Sequence, residues 1–354
     1  MDAGDPDALN EATLGIDLNF DGDTLDIVTF DGRGFARSVD LPGIGSTVPD
    51  IGAFEVQTTP TAGPDIIIGT ANFDLLRLED GGSDSVSALG DNDALFFGDA
   101  FDDGDVVDAG AGDDDQIAVQ GDYSGGLTFG ANSVDGVEQI VLLPGSNTSF
   151  GAPGTEFYDY DLTLVDANIG AGEFLIFQAN QLRAGEDFTL DASAETDGSI
   201  FTFAGLGNES ITGGDLTDAF FFGTDRFNPG DRLDGGGGGQ DAVGLQGDYA
   251  AQLAIGPNQL VNIDQIAFLS STDPRFGADS TNAFSYNIVM DDGNVAAGQS
   301  MTLIANTLTT AETLTFDGSA ETDGSFQVFS GNAGDTISGS QGGDTIFGRG
   351  GADT

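Results

Sequence analysis

"GNAGDTISGSQGGDTIFGRGGADT", residues 331–354, places a carboxylate at every ninth position: Asp335, Asp344 and Asp353. Ile337 and Ile346 follow the first two at a distance of two residues, and glycine is the commonest residue among the remainder. Glycine supplies positive φ and uncovered backbone, so part of each unit suits a turn. The other part, Thr-Ile-Ser or Thr-Ile-Phe, alternates sides and suits a short strand. Repetition winds a parallel coil whose turns stack in two columns, with the apolar residue after each Asp pointing inward. Neighbouring turns then lie on opposite edges. Asp353 is expected to stack on Asp335, and Asp344 on a turn near residues 321–327.

Stacked turns set Asp carboxylates beside glycine carbonyls at one spacing. That is an all-oxygen site for a hard cation, and calcium accepts about six to eight oxygens. The units resemble the nonapeptide G-G-x-G-x-D-x-U-x of the RTX (hemolysin-type) calcium-binding family. The match runs from Gly339 to Asp353, with Gly339 and Gly348 opening the units and Gly342 and Gly351 in fourth place. Ala333 replaces that glycine before Asp335. The resemblance implies a parallel β-roll that folds on calcium outside the cell, and export by type I secretion.

Upstream the spacing persists with slips. Asp65, Asp74, Asp84 and Asp93 precede Ile67, Leu76, Val86 and Leu95 by two residues, and Asp105 and Asp115 precede Val107 and Ile117. A second run sets Glu209, Asp218, Asp231 and Asp241 before Ile211, Phe220, Leu233 and Val243. These acids are further candidate calcium ligands in turns poorer in glycine.

A longer repeat has a period near 126 residues. "QGDY" occurs at 120–123 and 246–249, "SAETDGS" at 193–199 and 319–325, and "EQIVLL" (138–143) answers "DQIAFL" (264–269). Asp115 maps to Asp241, Glu209 to Asp335 and Asp218 to Asp344. One unit is an acidic, Gly-rich run followed by a longer, less acidic stretch, as in a solenoid or a string of modules. The longer stretches hold short β-branched or aromatic runs such as "YDLTLVD" and "SIFTFAG", and no helical stripe. They suit further solenoid rungs, or a compact sandwich inserted between rolls. Rungs are the expectation, because strands that continue the roll leave no exposed edge.

The expected fold is therefore all-β: a parallel β-roll or β-solenoid of calcium-binding nonapeptide turns alternating with longer β segments. Acidic runs occupy 65–118, 206–244 and 331–354, and longer segments 119–205 and 245–330. Residues 1–57 differ. "FDGRGFARSVDLPGIGSTVPDIGAFEVQ" (30–57) resembles the closing segment of bacterial right-handed parallel β-helix proteins, which implies an upstream β-helix; 58–64 reads as a linker. Asp17, Asn19 and Asp21 match the start of an EF-type loop, but Val28 stands at its twelfth position, so a hydrophilic turn is the plainer reading.

Composition excludes much. The 354 residues carry 60 Asp+Glu against eight Arg and no Lys, for a net charge of −52. Such charge repels nucleic acid and anionic membranes. Without His, Cys or Lys there is no triad, zinc site, thiol nucleophile, Schiff base or Walker loop. No apolar run reaches membrane-spanning length, and the N-terminus lacks a secretion-signal pattern. The chain begins and ends inside patterned sequence and reads as a piece of something longer. Salt adaptation also yields an acidic, Lys-free surface, but leaves the pairing of acid and apolar residue unexplained. Carboxylate-only catalysis would centre on "EFYDYDL" (156–162), with Tyr158 and Tyr160 as sugar platforms. The second copy has Ser285 and Asn287 in place of Asp159 and Asp161, which argues against a duplicated active site.

The functional expectation is a non-enzymatic, calcium-binding structural or adhesin-type segment of a large secreted bacterial RTX protein, located outside the cell or at its surface. Its partners are calcium ions and a cell-surface or glycan ligand. The alternatives are a non-catalytic accessory region of a secreted hydrolase or polysaccharide-modifying enzyme, and a carbohydrate-binding module.

Overall fold

The computed structural model describes residues 60–274 and 282–354. The β-helix-like segment 1–57, the Asp17 loop pattern and the first two residues of the linker lie outside the described residues. Every strand pairing among the described residues is parallel. One sheet of 12 strands runs from Leu75–Arg77 to Thr345–Phe347 and forms one side of the coil. The other side is three shorter sheets of 3, 6 and 4 strands. No α-helix occurs among the described residues, and Asp166–Asn168 is a 3₁₀ turn. The fold is the all-β parallel solenoid that the sequence pattern predicts.

The 126-residue repeat is a repeat of rung lengths. Gln116, Gln139, Ile176, Phe201, Ala219 and Ala242 pair one with the next along the long sheet, at separations of 23, 37, 25, 18 and 23 residues. From Ala242 the series restarts, with 23, 37, 25 and 18 residues leading through Gln265, Thr302 and Gln327 to Thr345. The longer segments thus share both sheets with the nonapeptide strands. Their extra residues loop outward between rungs.

One rung in each repeat splits its second side. Val107 N–H donates to Asn132 O (3.0 Å) and Ala109 N–H to Asp135 O (2.9 Å), so 132–135 continues the first short sheet. Tyr123–Thr128, in the same rung, instead starts the six-stranded sheet by pairing with Tyr160–Thr163. One repeat later, Leu260–Val261 continues the old sheet while Tyr249–Ile255 starts a new one. The repeated "QGDY" secures this split. Gln120 Nε2 donates to Pro144 O (3.0 Å) and Asn147 O (2.6 Å), and Tyr123 Oη to Gly98 O (2.9 Å). Gln246 and Tyr249 make the matching bonds to Ser270 O, Asp273 O and Gly223 O.

Inward side chains from both sides form one continuous core. Of the residues two places after an acid, Ile67, Val86, Leu95, Val107, Ile117, Ile211, Phe220, Leu233 and Val243 are buried. Each such side chain stabilises by about 1.5–3 kcal/mol. Leu76 and Ile337 pack against the core from its edge. Ile346 departs from the expectation and is 47% exposed. It pairs in register with Val328, but Thr345–Phe347 is the last strand of its sheet and no rung covers it.

Tyr160 is likewise not a sugar platform. It is buried, stacks on Tyr123 at 5.8 Å, and its hydroxyl donates to Leu143 O (2.6 Å). Tyr286 repeats this with Tyr249 at 6.0 Å and Leu269 O at 2.6 Å.

Candidate metal centre

The turn acids form ladders. In a ladder the backbone N–H of one turn acid donates to the carboxylate of the turn one rung later, about 20 residues on rather than nine. Asp65 N–H donates to Asp84 Oδ1 (3.0 Å) and Asp84 N–H to Asp105 Oδ1 (2.8 Å). On the opposite edge Asp74, Asp93 and Asp115 donate in turn to Asp93 Oδ1 (2.7 Å), Asp115 Oδ1 (2.6 Å) and Glu138 Oε2 (2.7 Å). The second run repeats the device. Glu209 N–H meets Asp231 Oδ1 (3.0 Å), Asp218 N–H meets Asp241 Oδ1 (2.8 Å), and Asp241 N–H meets Asp264 Oδ2 (2.9 Å).

At the end of the chain Asp335 N–H donates to Asp353 Oδ1 (3.0 Å), and Phe326 N–H to Asp344 Oδ1 (2.8 Å). Asp335 and Asp353 therefore share one column, and Asp344 reaches back to the turn before Phe326. The glycines there are sterically required. A Cβ on Gly339 would lie 2.2 Å from Asp344 Oδ2, on Gly348 2.4 Å from Asp353 Oδ2, on Gly342 2.7 Å from Gly324 O, and on Gly351 2.2 Å from Ala333 O.

The second carboxylate oxygen usually folds back on its own turn. Gly214 N–H donates to Asp218 Oδ2 (2.7 Å), Asn228 N–H to Asp231 Oδ2 (2.7 Å) and Gly331 N–H to Asp335 Oδ2 (2.9 Å). Asp93 Oδ2, Asp115 Oδ2 and Glu209 Oε2 are instead buried and have no hydrogen-bond partner. An ionised oxygen in that state is strongly disfavoured.

Titration behaviour reflects this. Burial pushes Asp105 and Asp218 up to about 6 and Asp241 up to about 7, against the opposing pull of backbone N–H donors. Asp84, Asp93 and Asp115 are raised for the same reason. Glu209 is raised by burial and then by the neighbouring Asp231.

Two buried acids of the longer rungs, Glu186 and Glu312, behave differently. Glu186 accepts from Gly145 N–H (2.8 Å) and Arg183 N–H (2.8 Å), and pairs with the Arg183 guanidinium at 2.9 Å. Glu312 accepts from Ser271 N–H, Thr309 N–H and Ser270 Oγ, each at 2.8 Å. For Glu312, burial acts upward, but the donors outweigh it and hold the group at about 2. These two are satisfied by protein alone.

Sequence reasoning missed Glu138 and Asp264 as ladder members. The signal was present, since Ile140 and Ile266 follow them by two residues, but Glu138 has only Gly136 in the turn before it and the turn before Asp264 has no glycine. Two further acidic groups bring three carboxylates within 4.8 Å and could hold a metal ion: Asp166, Glu195 and Asp197, and Asp292, Glu321 and Asp323. Among the described residues no helix is long and apolar enough to cross a membrane. The chain matches no protein-family model, no curated protein and no solved structure.

Proposed function

We propose that the chain is a calcium-binding structural segment, of stalk or adhesin type, of a large secreted bacterial RTX protein that folds on calcium outside the cell. The supporting observation is the set of buried turn carboxylates with partnerless oxygens at Asp93, Asp115 and Glu209, stacked along the edges of a parallel coil. A divalent cation lets such groups stay ionised, and its binding energy becomes folding energy. Only oxygen donors line the turns, which favours calcium. The absence of His, Cys and Lys and the burial of Tyr160 support a non-enzymatic role.

Extracellular-type sites bind calcium at about 10⁻⁴–10⁻³ M, so each adds only about 1–2 kcal/mol at millimolar calcium and several act together. A chelator titration followed by far-UV circular dichroism tests the reading. The β signal of the Gly/Asp-rich runs is expected to fall with EDTA at low salt and to return with calcium. An unchanged signal in excess EDTA refutes calcium-dependent folding, and full rescue by potassium chloride instead favours a salt-adapted surface.

A further inference from the structure

The "SAETDGS" stretches lie in the longer rungs, and the nonapeptide turns that follow stack on them: Asp215 N–H donates to Glu195 O and Gln341 N–H to Glu321 O, each at 2.9 Å. Both copies build the same arrangement 126 residues apart. Glu195 is fully buried at the end of its strand turn, and its Oε1 accepts Asp197 N–H (3.0 Å) and Gly198 N–H (2.8 Å). Its Oε2 is buried and has no hydrogen-bond partner. Asp166 arrives from the preceding rung and is fixed by Thr196, whose N–H (3.0 Å) and Oγ1 (2.5 Å) both donate to Asp166 Oδ1. Asp197 completes the trio, and its carbonyl is held by Gly172 N–H (2.7 Å).

In the second copy Glu321 Oε1 accepts Asp323 N–H (3.1 Å) and Gly324 N–H (2.8 Å), and Glu321 Oε2 is again buried without a partner. Thr322 holds Asp292 Oδ1 through N–H (2.9 Å) and Oγ1 (3.0 Å). The glycines are also matched. A Cβ on Gly198 would strike Ile169 at 2.4 Å, and one on Gly324 would strike Val295 at 2.6 Å.

We infer that each trio is a divalent-cation site, best suited to calcium, that clamps two successive rungs of the solenoid. Three carboxylates converge with no cationic side chain, since the ion pairs among the described residues are Arg77–Glu79 and Arg183–Glu186. In each copy a fully buried glutamate keeps one oxygen in reserve, where hydrogen bonding to protein is otherwise complete. The ligand oxygens lie within 4.8 Å of one another. Opposite oxygens on one calcium ion are about 4.8 Å apart, given calcium–oxygen distances of about 2.4 Å. Asp166 and Asp197 are exposed, so water fills the rest of the coordination shell. The site joins residues 30 apart in sequence, and Asp166 and Asp292 belong to no nonapeptide turn.

Equilibrium dialysis of the whole chain against about 1 mM radioactive calcium chloride tests this. Asp166→Asn with Asp197→Asn is expected to lower bound calcium by one ion per chain. Adding Asp292→Asn and Asp323→Asn is expected to lower it by two. The charge-matched control Asp122→Asn with Asp248→Asn, both at exposed positions, is expected to change nothing. Where the Asp variants alter the circular dichroism spectrum, Glu195→Gln with Glu321→Gln replaces them, because Gln keeps Oε1 as acceptor. An unchanged calcium count in the folded variants overturns the inference. Asp166 and Asp292 lie outside the nonapeptide turns, so the calcium that remains when they are replaced reports on those turns, and the two readings can fail separately.

Discussion

In metal-free buffer, lowering the pH from about 8 to about 5 is expected to stabilise the solenoid, the reverse of ordinary acid denaturation. Asp105, Asp218 and Asp241 are buried and raised from 3.8 to about 6, 6 and 7. Between the ordinary and the raised values the folded chain holds protons that the unfolded chain has released. The stabilisation is fully present below the unfolded value and is lost as the pH rises through 6 to 7. A tenfold change in one group's proton affinity is worth about 1.4 kcal/mol. These turns meet solvent at the coil edge, so screening leaves about 1 kcal/mol per group, or about 3 kcal/mol in all. For a chain of this size that is a rise of about 5–10 °C in melting temperature, read by far-UV circular dichroism. General charge neutralisation is a small contributor, because about pH 5 lies above the ordinary carboxylate range. The variant Asp105→Asn, Asp218→Asn, Asp241→Asn keeps each Oδ1 as acceptor for the amides of Asp84, Ile200 and Asp218. It is expected to lose most of the pH slope, although Asn cannot accept the Asp102 and Gly214 N–H groups that now bond Asp105 Oδ2 and Asp218 Oδ2. A parent protein that loses stability on acidification, or a triple variant with the parent's slope, refutes the reasoning.

Phe220→Ala, at a fully buried core position, is expected to destabilise by about 3–5 kcal/mol in denaturant melts, whereas Ile346→Asp at the open end should shift stability by under about 0.5 kcal/mol. Tyr160→Phe and Tyr286→Phe each remove a buried hydroxyl, bonded to Leu143 O and Val119 O in the first copy and to Leu269 O and Leu245 O in the second, and should cost about 1–2 kcal/mol alike; unequal losses would break the equivalence of the two repeats. Gly351→Ala forces a side chain into φ +92° and onto Ala333 O, while Gly343→Ala meets open space. Amide exchange at Asp335 and Thr354 should accelerate in the first variant and stay unchanged in the second.

Much of the architecture was legible in residue spacing. An acid followed two places on by an apolar residue fixes both a turn and the strand face that turns inward, because side chains alternate along a strand. Ile67, Leu95, Ile117, Phe220 and Val243 are buried for that reason. The pairing of Asp353 with Asp335, and of Asp344 with the turn before Phe326, follows from two columns of turns and needs no coordinates. The period of 126 is visible as repeated words.

Tertiary structure decided the rest. Hydrogen bonding in a parallel coil runs between rungs, so the partner of each carboxylate depends on rung length, which varies from 18 to 37 residues. Glu138 and Asp264 joined the ladders without the glycine-rich turns of the nonapeptide pattern to announce them. Ile346 fits the inward pattern yet is exposed, because burial requires a further rung. "SAETDGS" reads as a polar turn until stacking carries Asp166 to Thr196 across 30 residues. Linear spacing records which face a residue takes within its own rung. It does not record what the rungs on either side bring to that face, and there the oxygens of Asp166, Glu195 and Asp197 come together.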